Sequence, residues 1–358
     1  MRASRVVGIL LAILAALIPF IGLHVPGILP GNVDVVNSTG TMGVLALCFL
    51  FAGVALGYDV LFGLNGLLSL GSALFFAEGV YVFDIALTHG GWSLGAALAV
   101  TAGVALVSAL VLGAVALRVR GIAFSMVTLA FAQAVYYLIE DNPHGLTGGD
   151  TGLALTSNRL PGVLSGAVVD TRYAYWVALG FLLVTFVVVH VVTESSVGHV
   201  WRALRDNDAR LEVLGLAPFG YRLGAFVLSS LIAAAGGVVY VLVIGTAVPN
   251  AVASTTLTIS VLVMVVLGGA GSRGGVVAGG VVYVYLEQLL LKVAAQPSFA
   301  SLPAPLRVPL SQPQFLLGAI FVLFVIFVPG GLAGAAQRRW RRTGRGVAPS
   351  EEVGGAEG

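Results

Sequence analysis

Charge is scarce in this sequence. Only 9% of its 358 residues are Asp, Glu, Lys or Arg, and Lys292 is the single lysine. A nucleotide-binding P-loop needs a lysine in a G-x-x-x-x-G-K-[ST] pattern, which does not surround Lys292. Cys48 is the single cysteine, and this excludes an intrachain disulfide and a cysteine metal site. We therefore expect no ATPase site and no cofactor in this chain itself.

The residues of common catalytic sites are also missing. The five histidines are scattered, and neither H-E-x-x-H nor any other His and carboxylate spacing suited to a metal occurs. No G-x-S-x-G motif is present, so a serine-hydrolase nucleophile is not indicated. The sequence predicts no catalytic residue and no metal site. A membrane-embedded enzyme or assembly scaffold is thus the least favoured class.

Apolar residues dominate instead. They make up 58% of the chain, and the mean hydropathy is +1.01. A soluble protein of this length could not bury so much apolar surface, whereas a bilayer solvates it. Because a spanning helix needs about 20 apolar residues, we predict an all-α integral membrane protein with about ten transmembrane helices. The approximate spans are 6–23, 41–57, 66–87, 93–117, 121–139, 174–193, 223–246, 255–269, 276–293 and 315–334.

The distribution of basic residues predicts the orientation. Fourteen of the 18 Lys and Arg residues fall on one side of the predicted spans. This bias places both termini in the cytoplasm of a multi-pass protein of the cell inner membrane. The apolar run near the amino terminus is interpreted as an uncleaved first helix rather than a signal peptide. Residues 1–345 form one transmembrane domain in this interpretation, and residues 346–358 form a disordered cytoplasmic tail.

Glycine-rich stretches interrupt the helical pattern at residues 57–71, 146–153 and 265–280. Non-helical backbone at membrane depth occurs only inside protein or along a wet cavity, and transporters use such breaks to aim helix ends at substrate. We therefore expect broken or re-entrant segments. The alternatives are close helix packing through glycine, and a tight cytoplasmic turn for the third stretch.

Few carboxylates lie within the predicted spans. Glu78 is close to the middle of its span, where a charge is costly and normally faces a cavity or a partner. The alternative is a hydrogen-bonded carboxyl that only fixes helix packing. Asp59 is a candidate cap for the helical segment that follows it. Gln133 is either a pathway residue or a hydrogen-bonding contact between helices.

A charged run stands out at residues 199–218, HVWRALRDNDARLEVLGLAP. On a helix, Trp201, Leu204, Leu211 and Leu214 share one side, with the charges largely opposite. Gly215 would end this helix. The mixed charge favours docking to a protein over docking to anionic lipid. The alternative is a solvated interfacial connector.

Six blocks now show a resemblance to a known family. They read, in order, GYDVLFGLNGLLSLGSALFF, LRVRGIAFSMVTLAFAQAVYYL, LTGGDTGL, RALRDNDARLEVLGLAPFGYRLGAFVLSS, VVLGGAGSRGGVVAGG and FVPGGLAG. The succession resembles the inner-membrane permease of branched-chain amino-acid ABC transporters (LivM-like), over roughly residues 41–335. Ser72 stands where this family commonly has His, and some relatives carry urea, amides or other small polar metabolites.

The resemblance implies roles and partners. The charged run would be the coupling helix that contacts a separate ATP-binding subunit, through Trp201, Arg202, Leu204, Arg205, Asp206, Arg210, Leu211 and Gly215. The expected substrate pathway comprises Asp59, Asn65, Gly66, Ser69, Gly71, Glu78 and Gln133. An extracytoplasmic substrate-binding protein would face Thr147, Gly148, Gly149 and Asp150. A second homologous permease completes the expected pore, with lipid around it and no nucleic-acid partner. The alternative function is an ion-coupled secondary transporter that uses Glu78.

Overall fold

A computed structural model describes residues 39–155, 171–213, 215–294, 312–328 and 330–335. The predicted first span, 6–23, and the predicted tail lie outside the described residues. We number the helices within these ranges α1 to α12. They are α1 Thr39–Asp59, α2 Ser72–Thr88, α3 Leu94–Ala116, α4 Ile122–Glu140, α5 Thr171–Glu194, α6 Ser196–Asp206, α7 Asp208–Val213, α8 Pro218–Ile244, α9 Pro249–Val252, α10 Thr255–Gly268, α11 Arg273–Ala294 and α12 Pro313–Phe327.

The prediction of an all-α membrane protein is confirmed. Within the described ranges, eight helical stretches are long and apolar enough to cross a membrane. They are Thr39–Leu64, Leu94–Ala116, Ile122–Glu140, Thr171–Glu194, Pro218–Ile244, Pro249–Gly268, Arg273–Lys292 and Gln314–Ala335. The predicted span 66–87 corresponds to α2, which begins only at Ser72 and is 17 residues long. It is short because the chain before it is not helical.

Helix α1 lies at the centre of the bundle. It packs against α5, α8, α10 and α11. In the most apolar 18-residue stretch of Thr39–Leu64, 78% of the residues are buried. The corresponding share is 22% for α3 and 12% for Gln314–Ala335, so these helices belong to the outer ring. Because α3 and α12 are apolar on their exposed sides too, the ring presents the surface that lipid or another membrane subunit covers.

Helices α2 and α8 approach each other through glycine. A side-chain carbon added at Gly79 would collide with the backbone of Ala234, and one added at Gly237 would collide with the Phe76 carbonyl oxygen. The approach of the two backbones therefore requires both glycines. Nearby, the Phe76 ring packs edge-on against Tyr240 with 5.5 Å between centroids.

We expect Gly79→Ala and Gly237→Ala each to destabilise the protein by about 1–3 kcal/mol, the usual cost of overpacking a tight core. Thermal unfolding of the purified protein in detergent measures this as a lower midpoint. Gly180→Ala in α5 is the matched control, because no atom lies within 4 Å of the added carbon. Gly180→Ala should match or exceed the wild-type midpoint, since alanine favours helix. Equal midpoints for all three variants would contradict the close approach.

One end of the bundle, which we call the α9 end, is closed by a small sheet. Strands β1 Leu153–Ala154 and β2 Thr246–Ala247 pair antiparallel, with Leu153 opposite Ala247. The Tyr81 hydroxyl of α2 donates to the Ala247 carbonyl oxygen at 3.1 Å. This pairing ties the segment after α4 to the segment between α8 and α9.

Large aromatic side chains are exposed towards the same end. Trp92 is 46% exposed, Tyr137 63% and Tyr173 45%. They lie in the α2–α3 connection, at the end of α4 and at the start of α5. Amphipathic rings prefer the boundary between acyl chains and water, so these residues mark one membrane boundary of the bundle.

Candidate functional site

The span that begins with α1 is broken, as the glycine-rich pattern predicts. After Asp59 the chain widens into a π-helical turn, Val60–Leu64. Residues 65–71 are not helical, and we call them the broken segment. Gly66 has a φ of +72°, which disfavours any residue with a side chain. The chain then reverses and re-enters helix at Ser72, the start of α2.

Carbonyl groups of the broken segment accept hydrogen bonds from two helices. The Tyr58 hydroxyl of α1 donates to the Ser69 carbonyl oxygen at 2.8 Å. The Ser125 hydroxyl of α4 donates to the Leu68 carbonyl oxygen at 2.5 Å. These bonds replace the intrahelical partners that the break removes, which a membrane interior requires because it offers no water.

Backbone N–H groups at the same place donate to two threonines. The Leu70 N–H donates to the Thr128 hydroxyl of α4 at 3.0 Å, and the Ala73 N–H donates to the Thr258 hydroxyl of α10 at 2.9 Å. Thr128 and Thr258 are 2% and 0% exposed. Helices α1 and α4 therefore hold the broken segment, and α10 holds the first turn of α2 next to it. The sequence analysis did not single out these side chains.

A small polar cavity, which we call the serine cavity, lies beside the broken segment. Its volume is about 10 Å³, room for about one water molecule. Helix α8 forms the wall opposite α1 and α2, with Ser229 and Ser230 near the middle of its 27 residues. The lining residues are Tyr58, Leu61, Ser69, Ser72, Phe75, Phe226, Ser229, Ser230 and Ala233.

Two of the predicted pathway residues meet at this cavity. Ser69 lines it, and its hydroxyl accepts from the Gly71 N–H at 3.2 Å. Gly71 is the N-cap residue of α2, and no side chain caps this helix from that position. The structure thus brings Ser69 and Gly71 together with serines of α8, which carried no motif and could not be placed from the sequence.

The other pathway candidates lie elsewhere. Glu78 accepts a hydrogen bond from Ser108 of α3 at 2.7 Å and does not line the serine cavity. Gln133 hydrogen-bonds Thr255, which joins α4 to α10. Both contacts fit the alternative interpretation, in which these side chains hold helices together. Asn65 is 2% exposed, and its amide has no hydrogen-bond partner among the described residues.

Asp59 does not cap the following helical turn, contrary to the predicted capping role. Its side chain makes no cap hydrogen bond. Its carboxylate accepts instead from the Gly271 N–H, at 2.8 Å, in the turn between α10 and α11. Asp59 is 1% exposed, so this bond ties the end of α1 to that turn inside the protein. Residues 269–272 join two separate helices, so the third glycine-rich stretch fits the alternative interpretation of a tight turn.

The charged run does not form the single predicted helix 199–218. Helix α6 begins earlier, at Ser196, and ends at Asp206. Asn207 is extended, with φ −166° and ψ 113°, and therefore interrupts the helix before α7. Helix α7 ends at Val213, and Gly215 lies in the turn before Pro218, which starts α8. We call this end of the bundle the α6 end.

The apolar side of the charged run packs on the chain's own bundle. Trp201, Leu204 and Leu211 are 2%, 3% and 5% exposed. The Trp201 indole N–H donates to the Tyr221 carbonyl oxygen of α8 at 2.8 Å. The chain's own bundle therefore covers most of this side. Leu214 and the side chain of Arg210 lie outside the described residues.

Two arginines of α6 also point back to the bundle. Arg205 donates to the Gly63 carbonyl oxygen in the π-helical turn that precedes the broken segment. Arg202 donates to the Thr193 carbonyl oxygen near the end of α5, at 2.6 Å. Arg205 is thus a direct link between the surface helix and the break in the first described span.

The exposed side chains of the charged run lie on both of its helices. Asp206 is exposed, and Val213 is 88% exposed, the largest value for any apolar side chain among the described residues. Glu212 lies 3.8 Å from Arg120 of the α3–α4 connection. A groove of about 490 Å³ runs beside these residues, between α6 and the start of α8. It is lined by Val197, Trp201, Gly215, Leu216, Ala217, Gly220, Tyr221 and Gly224.

An ion pair at the α6 end had no signal in the sequence. Arg273 at the start of α11 donates to Glu194 of α5 at 2.7 Å. It also contacts the His190 side chain on the same helix. Together with the bond from Arg202, these contacts fix the end of α5 against α6 and α11.

The predicted binding-protein loop lies at the α9 end. Asn142 organises it, because its side-chain oxygen accepts from the N–H groups of Thr147 and Gly148 at 2.9 and 3.0 Å. Thr147 is buried, Gly149 is buried and Asp150 is exposed. Hydrogen bonds to Asn142 therefore fix the conformation of the loop, and Asp150 is exposed on its surface.

No group of three or more His, Cys, Asp or Glu side chains with metal-binding geometry occurs in the part of the chain that the structure describes. Cys48 is buried within α1.

Comparison with known proteins agrees with this architecture. The described residues form a polytopic helical bundle with a broken span, a feature that membrane transporters use. Residues 40–326 match the model of the family described as "Branched-chain amino acid transport system / permease component", and the chain belongs to this family.

The similar curated proteins carry the same description. The high-affinity branched-chain amino acid transport system permease protein LivM of Escherichia coli K12 is 27% identical over 318 residues, covering 82% of this chain and 70% of that protein. LivM of Salmonella typhimurium gives the same identity and coverage. A Methanocaldococcus jannaschii protein, "Probable branched-chain amino acid transport permease protein LivM", is 28% identical over 208 residues, 57% of each chain. No solved structure matches the chain significantly.

Proposed function

We propose that this protein is the transmembrane permease subunit of an ABC importer for branched-chain amino acids or related small polar metabolites. ATP is bound and hydrolysed on separate subunits, and the permease alternates between outward-open and inward-open states. A second homologous permease completes the pathway, and an extracytoplasmic substrate-binding protein delivers the substrate at the α9 end. Family membership and the LivM relatives support the transport class.

One contact carries the proposed mechanism. Arg205 of α6 donates to the Gly63 carbonyl, and two residues later the chain enters the broken segment. A displacement of α6 by an ATP-binding subunit would therefore be passed directly to the segment that adjoins the serine cavity. Coupling through packed elements with two discrete arrangements is a known basis for switching in proteins. Arg205 is thus proposed as the transmission residue rather than a docking residue.

The docking surface is proposed to be the exposed side of α7 together with the groove beside α6. Arg120, Arg202, Arg205 and Arg273 all make their contacts at the α6 end. This grouping supports the assignment of the α6 end to the cytoplasm, where basic residues are enriched. Val213, which is 88% exposed, is proposed as the apolar contact of that surface, since a few well-covered side chains supply most of the energy of an interface.

We expect Val213→Glu to lower the amount of ATP-binding subunit that copurifies with the permease by about tenfold, equivalent to about 1.4 kcal/mol of binding free energy. The cause is a charge placed in an apolar contact. Val248→Glu at the α9 end, where Val248 is 36% exposed, is the matched control and should copurify normally. Normal copurification of Val213→Glu would rule out α7 as the docking surface.

The alternative of an ion-coupled transporter gains no support from the position of Glu78. This carboxyl is bonded to Ser108, and no acidic side chain lines the serine cavity. Uptake that requires the ATP-binding subunits and resists uncouplers at constant ATP would identify the ABC importer. Uptake by the permease alone that collapses with the proton gradient would identify the alternative.

A further inference from the structure

Three serine hydroxyls face the serine cavity without a hydrogen bond. Ser72 at the start of α2 and Ser229 and Ser230 of α8 all line it. They are 8%, 6% and 4% exposed and are therefore largely buried. Among the described residues, no side chain or backbone group is within hydrogen-bond geometry of these hydroxyls. Buried hydroxyls normally have partners, and three that lack them around one cavity indicate a site for a polar guest.

The charge of that guest is indicated by helix α2, which begins at the cavity. Helix α2 is 17 residues long, and its N-terminus lies at the cavity. The N–H groups of Gly71 and Ala73 at this terminus donate to the Ser69 and Thr258 hydroxyls, and no acidic or basic residue lines the cavity. The partial positive charge of a helix N-terminus favours an anionic group, and hydroxyls can donate to it. The cavity is therefore suited to a carboxylate rather than to an ammonium group.

The rest of the lining is apolar. Leu61, Phe75, Phe226 and Ala233 form the remaining wall. The rings of Phe75 and Phe226 contact each other edge-on with 5.5 Å between centroids, which joins α2 to α8 on this side. A guest that fits both parts of the cavity has a carboxylate next to a compact aliphatic group.

We propose that the serine cavity is the intramembrane contact site of the substrate, where Ser72, Ser229 and Ser230 donate hydrogen bonds to the carboxylate of a small aliphatic amino acid. The inference rests on the proposed import function and adds the site within the permease itself. At about 10 Å³ the cavity is closed to such a guest, so α8 must separate from α1 and α2 during the cycle. The closed cavity is the barrier that keeps the membrane sealed between transport events.

The test uses the complete importer in proteoliposomes, with radiolabelled leucine as the probe and saturating binding protein. We expect the double variant Ser229→Ala/Ser230→Ala to slow leucine uptake by about tenfold to a hundredfold, the effect of losing hydrogen bonds to a charged group. Ser72→Ala, on the opposite helix, should slow uptake as well. Ser260→Ala is the control, because Ser260 pairs with Tyr283 away from the cavity, and it should import at the wild-type rate.

A pair of nearly isosteric variants tests the charge of the guest. Ser230→Asp should import leucine at least about tenfold more slowly than Ser230→Asn, since a second carboxylate repels that of the substrate. Equal rates for these two variants, or wild-type rates for both Ser72→Ala and the double alanine variant, would overturn the site. A wild-type complex that shows no ATP-dependent leucine uptake would instead overturn the proposed function. Copurification of all subunits confirms assembly of each variant.

Discussion

Thr128→Val and Thr258→Val are each expected to lower the free energy of unfolding by about 1–3 kcal/mol and to slow uptake. Valine has nearly the shape of threonine, so packing is kept and only the hydroxyl is lost. The N–H groups of Leu70, which is half-buried, and of Ala73, which is fully buried, are then left without acceptors. The cost of a buried unsatisfied donor sets the magnitude. Thermal unfolding in detergent and uptake in proteoliposomes measure the two effects.

Thr101→Val is the matched control for this pair. Thr101 is 3% exposed, as buried as Thr128, but its hydroxyl only donates to the Ala97 carbonyl oxygen within its own helix. That carbonyl belongs to helix α3 and keeps its backbone environment when the hydroxyl is removed. Thr101→Val should unfold within about 0.5 kcal/mol of wild type. If Thr128→Val and Thr258→Val behave like Thr101→Val, side chains of α4 and α10 do not hold the broken segment and the first turn of α2.

We expect Arg205→Ala to uncouple ATP hydrolysis from transport. The ATP-binding subunit should still copurify, because the proposed docking surface at α7 is intact. Leucine uptake should fall at least about tenfold, a change of about 1.4 kcal/mol or more in the coupling, since the link from α6 to the Gly63 carbonyl is gone. Parallel measurement of ATP hydrolysis and uptake by the same proteoliposomes gives the ratio that reports coupling.

Two further variants test whether the loss of uptake is specific to the Arg205 guanidinium. Arg205→Lys retains a donor but not the planar guanidinium, and it should recover part of the uptake. Arg120→Ala removes an arginine whose side chain is 71% exposed and pairs with Glu212 at 3.8 Å, a type of contact worth little, and should import normally. Loss of the ATP-binding subunit from Arg205→Ala would show that Arg205 docks the partner, and full uptake would show that the Gly63 contact carries no coupling.

The contrast between Val213 and Arg205 came only from the structure. In the sequence both belong to one charged, amphipathic run, and both the arginines and the apolar stripe are reasonable docking residues. The fold turns the stripe of Trp201, Leu204 and Leu211 onto α8 and directs Arg205 to Gly63. On α7, Glu212 and Val213 remain exposed. The sequence analysis treated α6 and α7 as one helix because it gave no sign that Asn207 adopts an extended conformation.

The class of fold and the glycine-rich break after the first described span could be read from the sequence. Apolar windows of about 20 residues specify spans because a bilayer excludes unsatisfied backbone, and glycine clusters such as residues 57–71 mark interruptions because glycine disfavours helix. The family resemblance added the order of the blocks. These features depend on composition over short windows, so no knowledge of distant contacts was needed.

Which side chains complete the candidate site was decided by tertiary structure alone. Thr258 bonds to Ala73 across 185 residues of chain, and Ser229 and Ser230 face Ser72 only because α8 packs against α2 through Gly79 and Gly237. A lone serine or threonine in an apolar helix has the same local signature whether it bonds its own backbone, a distant segment or a passing substrate. Helix packing chooses among these partners, because hydrogen bonds depend on positions in space that local sequence does not encode.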